Sequence, residues 1–145
     1  MYSFIEYNFF KGCVMSMTPF YVLGAAGFLI SLYTYLTEQK LKKDPTFKPV
    51  CDLSDRVSCS KPMQSQYANF FMISNGIAGM AFFALIIEFA YMGAHTLLLL
   101  VSLGGCIFSC ILGYLLFVKV KVMCLLCTFI YIINFGLLYL SFALR

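Results

Sequence analysis

Two cysteines three residues apart, Cys124 and Cys127, open the otherwise apolar run CLLCTFIYIIN at 124–134. On a helix Cys124, Cys127, Tyr131 and Asn134 follow at spacings of three, four and three, which stacks them along one face. A second pair, Cys51 and Cys59, stands in the chain's one long polar stretch. Dithiols within reach of each other exchange electrons through a mixed disulfide, and a helix N-terminus favours the nucleophilic thiolate. The loop pair suits a protein partner met in water, and the helical pair at a membrane edge suits a reactant dissolved in lipid. Tyr131 and Asn134, deeper on the stripe, can hydrogen-bond a carbonyl. A molecule that accepts two electrons, dissolves in lipid and presents carbonyls is a quinone. The residue chemistry therefore points to a membrane thiol–quinone oxidoreductase.

The solvent follows from composition. Of 145 residues, 62% are hydrophobic and 11% charged, against about 25% charged in a water-soluble domain. The length allows one domain, residues 1–145. Three stretches of 23 residues carry no charge: Val14–Leu36, Thr96–Val118 and Val122–Leu144. Each is long enough for a hydrocarbon core that takes about 20 helical residues. Val14–Leu36 is too long for a cleaved signal's apolar segment, so it is expected to stay as the first span, with Pro19 near its start. A further span over about 75–93 contains Glu88, expected at the interface, and Gly93 to His95 form a tight connection. The expected fold is an all-α membrane protein: a four-transmembrane-helix bundle with spans at about 14–36, 75–93, 96–118 and 122–144. Gly104, Gly105 and Gly113 suit close helix packing.

The long loop, about 37–74, opens with TEQKLKKDP, and Pro45 and Pro49 argue against a continuous helix through its first half. Lys61–Phe71 is expected to form a short helix whose Tyr67, Phe70 and Phe71 lie over the membrane mouth. An even number of spans places this loop and the Lys119/Lys121 turn on the same side, so both cysteine pairs face one compartment. Cys13, Cys106 and Cys110 sit in apolar runs as small packing residues. The sequence has no Gly-rich phosphate loop, no basic patch interleaved with aromatics for nucleic acid and no Ser/His/Asp arrangement. One histidine, His95, excludes a His-rich metal site. Two other readings of the cysteines stay open at this level: an all-thiolate zinc site, and a structural Cys51–Cys59 disulfide in a four-span scaffold protein.

CDLSDRVSCS at 51–60, Ser65, SNGIAG at 74–79, CLLCTFIYIIN at 124–134 and the GFLISLY stretch ending at Tyr33 together resemble the vitamin K epoxide reductase family. The resemblance runs from about Gly27 to the C-terminus. It implies an enzyme that reduces vitamin K 2,3-epoxide to the quinone and the quinone to the hydroquinone, with no permanently bound cofactor. It casts Cys127 as the cysteine that attacks substrate and Cys124 as the one that resolves the adduct. Cys59 is the loop cysteine that pairs transiently with Cys124, and Cys51 receives electrons from a thioredoxin-like lumenal oxidoreductase. Asn75 and Tyr131 match the residues that hydrogen-bond the naphthoquinone oxygens. A lumenal loop and short helix are expected to cap the active site, which in the family takes 4-hydroxycoumarin inhibitors. The implied residence is the endoplasmic reticulum membrane.

This sequence departs from the family's vertebrate pattern in a cap segment about a dozen residues shorter between Tyr67 and Asn75. It also has Tyr67 in place of a tryptophan, Ile130 in place of a threonine, and no basic tail after Arg145. Its charge is at odds with the implied topology. Lys40, Lys42, Lys43, Lys48, Arg56, Lys61, Lys119 and Lys121 lie on the loop side, and only Lys11 and Arg145 opposite. The positive-inside rule would put that loop in the cytosol, whereas disulfide relay chemistry suits an oxidising lumen. The quinone-linked disulfide-generating enzymes of bacteria, which use ubiquinone or menaquinone, share the bundle and the relay and are the alternative enzyme reading.

Overall fold

The computed structural model describes residues 2–66 and 73–144, with side chains from residue 17 onward. Tyr67, Phe70, Phe71 and Arg145 lie outside the described residues, as do the side chains of Glu6, Lys11 and Cys13. In chain order the helices are α1 (Tyr2–Lys43), α2 (Ser60–Gln64), α3 (Asn75–Met92), α4 (His95–Tyr114) and α5 (Leu125–Ala143), with a π-helical stretch, Leu115–Val120, continuing α4. Among the described residues four helices are long and apolar enough to cross a membrane, within Met17–Lys43, Asn75–Met92, His95–Val120 and Leu125–Ala143. Their outward side chains are also apolar: Val22, Leu29, Phe129, Ile132, Phe135 and Tyr139 are each more than half exposed. Helices apolar on every face belong in lipid, and the chain is a multi-pass membrane protein.

The first span differs from its expected ends. The helix does not stop at Leu36 but runs seven residues further, to Lys43, and Pro19 falls inside it rather than near its start. A proline is tolerated there because neighbouring helices and side chains in a bundle re-satisfy the freed carbonyl. Pro45 sets the stop, since the residue before a proline is pushed out of helical geometry. Asp44 closes the end: its N–H donates to the Lys40 carbonyl (2.8 Å), and its Oδ1 accepts from the Thr46 N–H (3.0 Å). Lys40, Lys42 and Lys43 in the last turn suit the negative end of the helix dipole. The short loop helix α2 ends at Gln64, where Ser65 turns extended and its hydroxyl donates to the Pro62 carbonyl (2.7 Å). The far end of the segment expected to be helical, 67–71, lies outside the described residues.

One core cluster joins all four spans: Met17 and Phe20 on α1, Phe83, Ile86 and Ala90 on α3, Leu98 on α4, and Ile133 and Leu137 on α5. Glycines set the closest approaches. A Cβ on Gly76 would lie 2.8 Å from the Tyr35 Cα, so α1 and α3 touch backbone to side there, and Gly105 of α4 lies under the Phe82 ring. The other expected packing glycines behave differently. Gly113 makes ordinary contact with Tyr131, and nothing lies within 4 Å of where a Cβ on Gly104 would sit. Gly93 adopts the left-handed conformation (φ 66°) that ends α3, giving the expected tight connection, and Glu88 is exposed near that end. Cys106 is buried, donating to the Asn134 carbonyl (3.3 Å), while Cys110 is exposed on α4 and is not a core residue.

Candidate redox site

Helix α5 begins at Leu125, three residues later than the uncharged run, because residues 122–124 are committed to the loop. The Met123 N–H donates to the Arg56 carbonyl (2.8 Å), and the Ser58 N–H donates to the Met123 carbonyl (3.0 Å). This isolated parallel bridge, Val57 beside Met123, stitches the polar loop to the mouth of α5. Cys124 is consequently the N-cap of α5 with extended backbone (φ −103°, ψ 117°). It departs from the expected four-residue stripe, which the structure restricts to Cys127, Tyr131 and Asn134. Its sulfur takes the place that an oxygen usually fills at a cap, accepting from the Cys127 N–H at 3.5 Å.

The loop half is organised by Asp52, a residue the sequence reading did not single out. Its Oδ1 accepts from the Cys59 N–H (2.6 Å), the Ser60 N–H (3.1 Å) and the Ser58 hydroxyl (2.7 Å), and its Oδ2 from the Ser60 hydroxyl (2.5 Å). A carboxylate directly after one loop cysteine, with serines on both sides of the other, was the available signal. Partial burial pushes the Asp52 carboxyl up, but the bonds from Ser60, Ser58 and the two backbone N–H groups outweigh it and hold it below the usual carboxylate range. A depressed carboxyl stabilises the fold above its unfolded pKa of about 3.9, and the contribution disappears as pH falls through the lower folded value. The loop is therefore expected to keep its place between pH 8 and about pH 5. Asp52→Ala is expected to slow formation of a Cys59–Cys124 bond by roughly tenfold at neutral pH, since several charge-assisted bonds are lost together. Mass mapping of trapped disulfides measures that rate.

The result is a continuous line of sulfur. Cys51 and Cys59 form a disulfide with Cα atoms 5.8 Å apart. The Cys124 Sγ lies 3.7 Å from the Cys59 Sγ, and both residues are fully buried. With Leu116 they form a small core of their own, around which Cys51, Met63, Cys127 and Tyr131 pack. The disulfide removes two of the four thiolates that an all-cysteine zinc site would use.

Cys127, one turn into α5, opens on a cavity of about 470 Å³ between the helices. Tyr131 and Asn75, the first residue of α3, line the same cavity. Phe82, Phe83 and Phe108 extend its walls, and Gly104 lines it without a side chain to fill it. The six expected site residues thus fall into two linked groups: a Cys51–Cys59–Cys124 line and a Cys127–Tyr131–Asn75 pocket. Asn134 lines this cavity as well, but its amide nitrogen is already committed to the protein. Its Nδ2 donates to the Ser109 hydroxyl (2.6 Å) and the Gly105 carbonyl (3.5 Å), which ties α5 to α4 and spends both donors on the protein. A carboxamide deep in a bundle is held by its neighbouring helix because an unpaired amide in hydrocarbon is costly.

Two comparisons with known sequences agree with this arrangement. The profile of the Vitamin K epoxide reductase family matches residues 18–142, nearly the whole described chain. The Vitamin K epoxide reductase complex subunit 1 of Mus musculus is 29% identical over 133 residues, covering 81% of this chain and 83% of that protein. The protein of the same name from Rattus norvegicus is 28% identical over the same shares. A four-span bundle, two cysteine pairs in sulfur contact and a family match across both of them lead to one conclusion: the chain belongs to the vitamin K epoxide reductase family, as a membrane oxidoreductase.

Proposed function

We propose that the chain reduces vitamin K 2,3-epoxide to the quinone, and the quinone to the hydroquinone, with electrons relayed from a thioredoxin-like protein through Cys51/Cys59 to Cys124/Cys127. One observation carries this reading: Cys124 touches Cys59 at 3.7 Å while Cys127, one turn away, faces an apolar cavity.

The relay balances as follows. A partner thiolate attacks Cys51, and the partner's second thiol then displaces it, leaving Cys51 and Cys59 as thiols and the partner oxidised. The Cys59 thiolate attacks Cys124 of a Cys124–Cys127 disulfide, releasing Cys127. Cys51 attacks Cys59, restoring the loop disulfide and releasing Cys124. Two electrons have then moved from loop to helix, giving the pairing described above: disulfide in the loop, thiols at the cavity.

At the cavity the Cys127 thiolate attacks a ring carbon of the epoxide, the C–O bond opens and the oxygen leaves protonated as a hydroxyl. Cys124 attacks the Cys127 sulfur and forms the disulfide. The C–S electron pair returns to the ring and expels the hydroxyl as water. One epoxide and two thiols become one quinone, one disulfide and one water. In a second round two thiols and a quinone become a disulfide and a hydroquinone. Asn75 and Tyr131 act as hydrogen-bond donors to the two quinone oxygens, and the phenyl walls exclude water. The same cavity is where a 4-hydroxycoumarin would compete. The relay places the loop in the lumen of the endoplasmic reticulum, against the distribution of lysines.

Dithiothreitol-driven turnover by the purified protein tests the substrate. Reduction of both vitamin K epoxide and vitamin K quinone is the expected result. Reduction of quinone without epoxide would favour the quinone-linked disulfide-generating reading. Folded protein with titratable thiols and no turnover of either would overturn both.

A further inference from the structure

Glu38 is 3% exposed near the end of α1, where few carboxyls are buried. Its Oε1 faces the Lys42 Nζ at 3.1 Å, and its Oε2 accepts a hydrogen bond from the Ser74 hydroxyl, 36 residues away. Ser74 is the N-cap of α3, and its carbonyl accepts from the Ala78 N–H (3.0 Å). A serine at that position ordinarily turns its hydroxyl oxygen onto the first N–H groups of its own helix. Here it makes no such bond and reaches across to α1 instead.

The residues on either side of this contact matter to the cavity. Asn75 lies between Ser74, held by Glu38, and Gly76, pressed against Tyr35. Both neighbours of Asn75 are therefore fixed to α1, which leaves its side chain little freedom to move as it lines the cavity. Thr34, one turn before Glu38 on α1, lines the same cavity and is held by its own bond to the Ile30 carbonyl (2.9 Å).

We propose that Glu38 is a positioning residue: through Ser74 it sets the start of α3 and so the place of Asn75 against the quinone oxygen. The inference rests on the quinone-reducing role given above for this cavity. It deepens that role by naming a side chain that never touches substrate.

The test is steady-state kinetics on vitamin K quinone with dithiothreitol, beside hydrogen exchange of the backbone amides of residues 75–79. Glu38→Leu and Ser74→Ala are each expected to raise KM by about tenfold with kcat within about twofold, because a ground-state contact is loosened. The double variant should be no worse than either single one, since both remove the same bond. Glu38→Gln keeps an acceptor for Ser74 and is expected to restore KM to within about threefold of wild type. Exchange at residues 75–79 should quicken in Glu38→Leu and recover in Glu38→Gln, while the rate of Cys59–Cys124 bond formation stays unchanged.

Unchanged KM and exchange in Glu38→Leu would overturn the inference. So would additive losses in the double variant, or a slowed Cys59–Cys124 bond, which marks general destabilisation. If Glu38→Leu fails to fold, Ser74→Ala and Glu38→Gln carry the same comparison. Wild type that reduces no quinone would defeat the quinone-reducing role itself. The exchange data would still show whether Glu38 fixes α3.

Discussion

Cys127→Ala is expected to lower dithiothreitol-driven epoxide turnover by roughly a thousandfold or more, the scale seen when a covalent nucleophile is removed. Among the four cysteines of the two pairs only Cys127 lines the cavity, and Cys124, fully buried against Cys59, is not positioned to replace it. Cys51→Ala should behave in the opposite way. Dithiothreitol is small enough to reduce the helical pair without the loop, so turnover with it should stay within about threefold of wild type. Turnover driven by a thioredoxin-like protein should be lost, because Cys51 is the half-buried loop cysteine and Cys59 is fully enclosed.

Combining the two changes leaves Cys59 and Cys124 facing each other at 3.7 Å, and mild oxidation should join them as the main product on mass mapping. In the wild-type protein, with Cys51 and Cys127 in place, a purely structural loop disulfide would give no trapped Cys59–Cys124 product. Full activity of Cys127→Ala would assign the chemistry to another residue.

Tyr131→Phe is the second large effect. The phenol lies one turn beyond Cys127 on the same face of α5 and beside it in the cavity. In the proposed binding mode, losing its hydroxyl would leave one quinone oxygen unpaired in an apolar site, which costs about 1–3 kcal/mol. The expected loss in kcat/KM for vitamin K quinone is therefore roughly 5- to 150-fold. The ring still fills its place, so melting temperature and the rate of Cys59–Cys124 bond formation should not move. If Tyr131→Phe matches wild type in kcat/KM, the phenol is a wall residue and the carbonyl contact belongs elsewhere. Asn75→Ala tests the contact proposed for the other end of the quinone in the same assay, and its sensitivity should follow that of Glu38→Leu.

Much of the bundle was legible because a bilayer imposes simple rules. Uncharged runs of sufficient length give spans, and the parity of spans puts the loop and the start of α5 at one end. The family resemblance, carried by motif spacing, agrees with the match over residues 18–142. Where helices began and ended was less legible. Glu38 is a charged residue that reads as loop, yet it is buried inside α1 because Ser74, distant in sequence, supplies its partner. Asn134 fits a substrate stripe by periodicity, yet Ser109 and Gly105 of a neighbouring helix claim its amide.

The sequence by itself determined the solvent, the number of spans, that both cysteine pairs lie at one end of the bundle, and the cysteines' chemical possibilities. All of these follow from local composition or from spacing along one helix. Tertiary structure alone decided which sulfur meets which. The Val57–Met123 bridge and the Asp52 carboxylate bring Cys59 onto Cys124, and the crossing of α1, α3, α4 and α5 opens the cavity before Cys127. The Val57–Met123 and Cys59–Cys124 contacts join residues dozens of positions apart, and no period or spacing along the chain encodes the angle at which two helices meet.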